Sequence, residues 1–204
     1  MSKAPLQLGF LASNNGSSMR AIIGAIEARR LAARVRLVVS NKKQATALAF
    51  ARQRGLPTLW IPTVPDPVAA DARLAAALAD AGVELVILSG FLRKLGPLTL
   101  RAYRNRILNI HPGLLPKHGG PGMYGRHVHA AVLRCGDHET GATVHLVDDQ
   151  YDHGPVVAQV IIPIDPGDTV EAIEARVIRA EPMFYVETLQ RLAAGDLTLA
   201  ASRD

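Results

Sequence analysis

Along the first half of the chain, short apolar runs alternate with stretches where apolar residues recur every three or four positions. Residues 7–12 (QLGFLA) form such a run and predict a buried strand. A polar, Gly-containing turn follows at 13–18. Met19, Ile22, Ile23 and Ile26 then carry helical spacing and predict a helix over 19–31. The β-branched stretch 35–39 predicts a strand. Residues 46–54 predict a helix stopped by Gly55 with Pro57 beyond it, and 58–61 a brief strand. A loop at Pro65-Asp66-Pro67 leads into an Ala/Leu-rich helix over 69–81, closed by Gly82. A strand at 85–88, a short helix at 97–103 and a strand at 107–110 continue the order. This succession argues for a parallel sheet covered by helices on both faces.

After His111 the rhythm changes. Residues 112–125 hold three prolines and five glycines, too many for a regular element. A helix is expected over 127–133, a strand over 142–147, a polar turn over 148–155 and a strand over 156–164, antiparallel to the one before. Thr169 is placed to cap a long final helix through Ala194, with Glu171 and Glu174 near its positive end. The expected fold class is α/β: a mostly parallel, doubly wound, Rossmann-like sheet with an antiparallel C-terminal strand pair. It reads as one domain over 1–204, a nucleotide-type α/β half (1–105) followed by a smaller, more elaborate half (106–204).

Composition narrows the setting. The chain has 204 residues, 49% of them apolar, enough for a sizeable core. No apolar stretch approaches the ~18 residues of a membrane span, and the first apolar run lacks a signal-peptide finish. A single cysteine, Cys135, excludes an internal disulfide and a multi-thiolate zinc site. It is read as buried helix packing, and a cytoplasmic location is expected. Charge is uneven: residues 1–60 hold ten Lys and Arg against one acid, and the remainder 13 against 17. A basic half favours anionic ligands. Aromatic residues do not interleave with the basic ones, so nucleic acid is not the expected partner. All seven histidines fall between 111 and 153, which puts chemistry near neutral pH in the second half.

Five segments are candidates for chemistry. Ser13-Asn14-Asn15-Gly16-Ser17-Ser18, between a strand and a helix, offers backbone amides and hydroxyls to an anion; an ordinary capped turn looks much the same. Residues 120–125 (GPGMYG) satisfy G-x-G-x-x-G but lie in a Pro/Gly-rich loop well after a strand, and so read as a mobile loop or lid. His127 and His129 open a helix, where positions i and i+2 diverge, so they read as packing histidines and not a metal pair. Asn109 and His111 share one side of a strand end, where an amide and an imidazole can face a developing oxyanion. The acidic turn 148–155 holds three aspartates; such a turn is usually just solvated or binds a cation loosely, but a carboxylate carried there could orient an imidazole nearby or raise its pKa.

Together, LNIHPGLLP at 108–116 and GATVHLVDDQYDHGP at 141–155, with the Asn15-Gly16-Ser17 turn, resemble the phosphoribosylglycinamide formyltransferase family within the wider formyltransferase superfamily. The resemblance runs over nearly the whole chain. It implies Asn109, His111 and Asp152 as the catalytic trio. It implies Gly16, Ser17 and Ser18 as the turn for the substrate phosphate, and Glu181 as a contact to the substrate ribose. It implies Leu92, Arg93, Lys94 and Leu95, with Asn109, as the segment meeting the folate. The implied reaction is direct formyl transfer from 10-formyltetrahydrofolate to an amine through a tetrahedral oxyanion, with no metal. Asn109 and protonated His111 would stabilise that oxyanion. The implied partners are a phosphorylated amine and the folate, with the protein a monomer or homodimer.

Asn14 stands where the family usually has Gly, Ser18 where it has Asn, and Gly113 where it has Ser. Residues 65–69 lack the basic residue many relatives place near the folate tail. Two other readings remain open from the residues: a formyltransferase acting on another amine such as an amino-sugar nucleotide, and a non-catalytic folate- or anion-binding module.

Overall fold

A computed structural model describes residues 4–199. Seven strands form one sheet in the order β3-β2-β1-β4-β5-β6-β7. They are β1 (Leu6–Leu11), β2 (Ala33–Ser40), β3 (Thr58–Trp60), β4 (Leu85–Leu88), β5 (Ile107–His111), β6 (Glu139–Leu146) and β7 (Val156–Pro163). β1 to β5 are mutually parallel, while β6 runs antiparallel to both β5 and β7. The antiparallel region therefore reaches one strand further into the sheet than a C-terminal pair.

The six helices among the described residues are α1 (Ser17–Glu27), α2 (Thr46–Gln53), α3 (Pro67–Asp80), α4 (Pro97–Ala102), α5 (Arg126–Arg134) and α6 (Val170–Ala194). They divide between two cores. Phe10, Met19, Ile22, Leu48, Val144 and Tyr185 belong to the core that joins α1, α2 and α6 to the sheet. Leu11, Val39, Leu74, Leu78, Val86 and Tyr103 belong to the core under α3 and α4. Each such fully buried side chain contributes about 1.5–3 kcal/mol through the area it removes from water.

Boundaries differ from the expected ones where local geometry overrides hydrophobic spacing. α1 starts at Ser17, two residues early, because Gly16 turns the chain into the helix. It ends at Glu27 and not near Leu31, because Arg29 adopts a left-handed conformation (φ 57°) and Arg30 N–H and Leu31 N–H fold back to Ala25 O. α3 starts at Pro67, with Asp66 accepting from Val68 N–H and Ala69 N–H at 3.1 and 2.9 Å. β6 starts three residues early, at Glu139, because its first residues pair with the far end of β7. Thr169 caps α6 as expected, accepting from Ala172 N–H at 3.2 Å. Cys135 is exposed, contrary to the packing role expected of it, because α5 ends there and Gly136 (φ 68°) turns the chain away.

Candidate active site

The carboxyl ends of β1, β4 and β5 lie side by side, the edge of an open parallel sheet where ligands bind. After β1, Gly16 adopts φ 65° and ψ 52°, a conformation that costs other L-residues about 1–2 kcal/mol. Ser17 and Ser18 thereby become the first helical residues of α1. Their backbone N–H groups have no hydrogen-bond partner among the described residues, whereas Met19 N–H is taken by Ser89 Oγ at 3.0 Å. Two free donors at a helix N-terminus suit an anion. The Ser17 side chain is exposed and that of Ser18 is buried. Asn14 points elsewhere: its Oδ1 accepts from Lys42 Nζ at 2.7 Å.

The loop after β4 is tied to this turn. Ser13 N–H donates to Gly90 O at 3.1 Å, and Ser13 Oγ accepts from Leu92 N–H at 2.8 Å while donating to Asn41 Oδ1 at 2.7 Å. Leu92 N–H is thus already used. Arg93, Lys94 and Leu95 make no backbone hydrogen bond among the described residues, so their peptide groups remain available to a ligand. The far end of the loop is anchored by buried Asp71 of α3, which accepts from Leu98 N–H and Thr99 N–H at 2.8 and 3.1 Å. Gly96 leaves the room for that carboxylate, since a Cβ there would lie 2.3 Å from it.

Asn109 and His111 close β5, and the structure brings Asp152 to them. His111 Nδ1 lies 3.4 Å from Asp152 Oδ2. Asp152 has φ 53°, a left-handed turn conformation that Asp tolerates better than most residues. Burial alone would raise its pKa, but the hydrogen bond and positive charge of His111, with Gly120 N–H, hold it below the ordinary carboxylate value. Asp152 Oδ1 also faces His145 Nε2 at 3.6 Å, and His145 Nε2 faces Asn109 Nδ2 at 3.1 Å. Four side chains from β5, β6 and the β6–β7 turn therefore form one network.

The segment after β5 packs onto this network. His111 Nε2–H donates to His118 O at 2.7 Å, and Gly120 N–H donates to Asp152 Oδ2 at 3.1 Å. Both ring nitrogens of His111 are thus engaged by protein acceptors, and the donor expected to face an oxyanion is held by a loop carbonyl. The His118 ring is buried and bonded to Asp137 Oδ2 at 2.6 Å, and Lys117 pairs with the same carboxylate. Residues 120–125 lie in this loop and end at Gly125, ahead of α5, so they are not in strand–turn–helix succession. Thr143 Oγ1 staples the loop's start to β6, donating to Gly113 O at 2.6 Å and accepting from Leu115 N–H at 3.1 Å. Gly113 is closely packed: a Cβ would lie 2.8 Å from Val128 Cγ1 and 3.2 Å from His111 Nε2, so a side chain there requires Val128 to shift.

Beside Asn109, His145 and Asp152 lies a crevice of about 80 Å³, walled by Leu88, Phe91, Leu95 and Val147. That is well below the ~300–1,000 Å³ of a typical small-molecule site. Lys94 and Tyr151 also line it, the Lys94 ammonium lying 5.9 Å from the Tyr151 ring centroid. The carboxyl of Glu181 on α6 makes no hydrogen bond or ion pair with the described residues. Burial pushes its carboxyl up to about 7, opposed by the charge of His111, which places it within electrostatic reach of that residue. His129 is buried with Nδ1 unpaired, and burial lowers its pKa; His127 is exposed, so the two do not converge. His145, Thr143 and Asp71 escaped the sequence reading because each sits in an apolar or Ala-rich stretch that reads as core.

The formyl transferase family model matches residues 6–189. The chain is 39% identical over 196 residues to the phosphoribosylglycinamide formyltransferase of Escherichia coli, covering 95% of this chain and 90% of that one. It is 36% identical over 188 residues to the chloroplastic phosphoribosylglycinamide formyltransferase of Vigna unguiculata, covering 91% of this chain. The match spans only 60% of that plant relative's length. The crystal structure of glycinamide ribonucleotide transformylase 1 from Symbiobacterium toebii superposes with a TM-score of 0.86 at 34% identity, over 97% of this chain and 92% of that one. With this fold, this site and these matches, the chain belongs to the formyl transferase family.

Proposed function

We propose that this protein transfers the formyl group of 10-formyltetrahydrofolate to the glycinamide amine of 5′-phosphoribosylglycinamide, a step of de novo purine synthesis. The observation that carries this reading is the single network of Asn109, His111 and Asp152 at the end of β5. It shares a sheet edge with the two unpartnered N–H groups of α1. A phosphorylated amine is the substrate such an edge fits: its phosphate at Ser17 and Ser18, and its amine toward Asn109. Glu181, whose carboxyl burial pushes up to about 7, serves as a partner for a substrate hydroxyl.

The folate is the co-substrate and supplies the formyl carbon. The free peptide groups of Arg93, Lys94 and Leu95 and the apolar walls of the adjacent crevice suit a flat heterocycle that hydrogen-bonds along its edge. As the amine adds, negative charge develops on the formyl oxygen. Asn109 Nδ2 and the imidazolium of His111 are the donors for that charge, once His118 O releases Nε2–H. Asp152, held ionised beside His111 Nδ1, accepts the proton leaving the amine, directly or through water; collapse of the tetrahedral adduct then breaks the bond between the formyl carbon and folate N10, which takes up that proton as tetrahydrofolate departs. Covalent attachment to the protein is not required. The single cysteine fits a reducing, cytoplasmic setting.

Purified protein with 10-formyl-5,8-dideazafolate tests the reading by absorbance, with and without phosphoribosylglycinamide. Turnover that requires the ribonucleotide is expected. Equal turnover without it would mean that water is the acceptor. Turnover only with an amino-sugar nucleotide would replace the acceptor.

A further inference from the structure

His145 is the one member of the network to which the proposed reaction gives no role. It is 2% exposed, and it points between two of the reacting groups. Its Nδ1 lies 2.9 Å from Leu146 O. A carbonyl only accepts, so Nδ1 carries the proton. Nε2 is then a bare acceptor as long as the ring is neutral, and burial, the largest influence on the ring, lowers its pKa and favours that form. The group facing Nε2 at 3.1 Å is the Asn109 amide nitrogen.

An asparagine amide can flip by 180°, which exchanges a two-hydrogen donor for a carbonyl oxygen in the same place. Only one of the two orientations satisfies a bare Nε2. We propose that His145 is a positioning residue: its Nδ1-protonated ring accepts one N–H of Asn109 and so locks the amide with its nitrogen toward the β5 end, leaving the second N–H for the formyl oxygen. With Oδ1 in that place instead, the amide would repel the developing charge it is meant to stabilise. The neutral ring also leaves His111 as the cationic partner of Asp152, whose oxygens lie 3.4 Å from His111 Nδ1 and 3.6 Å from His145 Nε2. A second cation there would divide Asp152 between two imidazoles. Asp152, His111 and Asp148 are the charged groups whose fields reach the ring.

This inference rests on the formyl-transfer reading for its kinetic consequence but not for its structural one, and the two are tested separately. In protein labelled with 15N-histidine, long-range nitrogen–proton correlation at pH 7–8 should show His145 as the Nδ1–H tautomer. An Nε2–H tautomer or an imidazolium would overturn the proposal whether or not the protein turns over. His145→Phe keeps a planar aromatic ring and removes the acceptor. It should lower kcat about 10–100-fold, the range seen when an orienting partner is lost, with KM for both substrates within about threefold. His145→Gln, whose Oε1 can accept the same N–H, should recover most of that loss. In an Asn109→Ala background His145→Phe should cost less than about threefold further, because residues acting through one another are not additive. Full additivity with Asn109→Ala, or equal losses for Phe and Gln, would reduce His145 to a packing residue.

Discussion

The two ends of the proposed site differ in what they are made of. At the turn after β1 the functional groups are backbone N–H groups of Ser17 and Ser18, aimed by Gly16 and left without partners. At the end of β5 they are side chains, and every one is already bonded. Asn109 meets His145, His111 meets Asp152 and His118 O, and Asp152 also meets Gly120 N–H. The first end leaves two donors without partners among the described residues, as the proposed phosphate site requires. The second holds its proposed catalytic groups bonded to one another, and His111 Nε2–H must leave His118 O before it can face a substrate. A charged phosphate can be met by fixed dipoles, whereas groups that must gain and lose protons during reaction need partners to hold their orientation and charge in the meantime.

The contrast predicts different kinetic signatures. Asp152→Asn and Asn109→Ala should lower kcat by about 10²–10⁴-fold, with KM for the phosphorylated amine nearly unchanged. Steady-state kinetics on both variants check this, and a loss confined to KM would erase the distinction. Gly16→Ala should do the reverse. Its Cβ would lie 3.3 Å from Met19 Cε, and its left-handed φ is strained. Disturbing charge-assisted bonds worth about 1.5–3 kcal/mol should raise KM for the amine roughly 10–100-fold and leave kcat within a few-fold.

Smaller effects concern the packing behind the chemical end. Gly113→Ser should destabilise by about 1–3 kcal/mol through the 2.8 Å approach to Val128. Denaturant unfolding checks this, and adding Val128→Ala should restore part of the loss. The smallest effect concerns Glu181. Its pKa is about 7 in the folded protein and 4.5 as its ordinary value, so the native state holds the extra proton between those values. Its contribution is therefore lost as pH rises through that window. Thermal unfolding of Glu181→Gln from pH 4.5 to 7 should decline less steeply than that of the wild type, and parallel curves would remove Glu181 from the buried site.

Much of this architecture was legible along the chain. Repeating strand and helix signals gave the parallel sheet, and the spacing of two between Asn109 and His111 put them on one side of a strand end. What stayed hidden was non-local. Hydrophobic spacing could not see that Ser17 and Ser18 are helical, because a left-handed Gly16 decides it. The first residues of β6 are recognisable only through their partner β7. That Asp152 reaches His111 depends on a turn between two strands, and the resemblance to a family, not the residue pattern, suggested it. His145 sits in an alternating apolar strand where a buried histidine reads as core. Its importance appears only when Asn109 lies on the neighbouring strand, directly opposite in the register.

The central claim is that the His111–Asp152 pair at the end of β5 performs ribonucleotide-dependent formyl transfer. Single-turnover transfer from the formyl-dideazafolate to phosphoribosylglycinamide, measured with saturating substrates in wild type and His111→Ala, tests it most directly. The expected result is rapid wild-type transfer slowed by at least about 10²-fold in the variant. Transfer within threefold of wild type in a folded His111→Ala protein would contradict it.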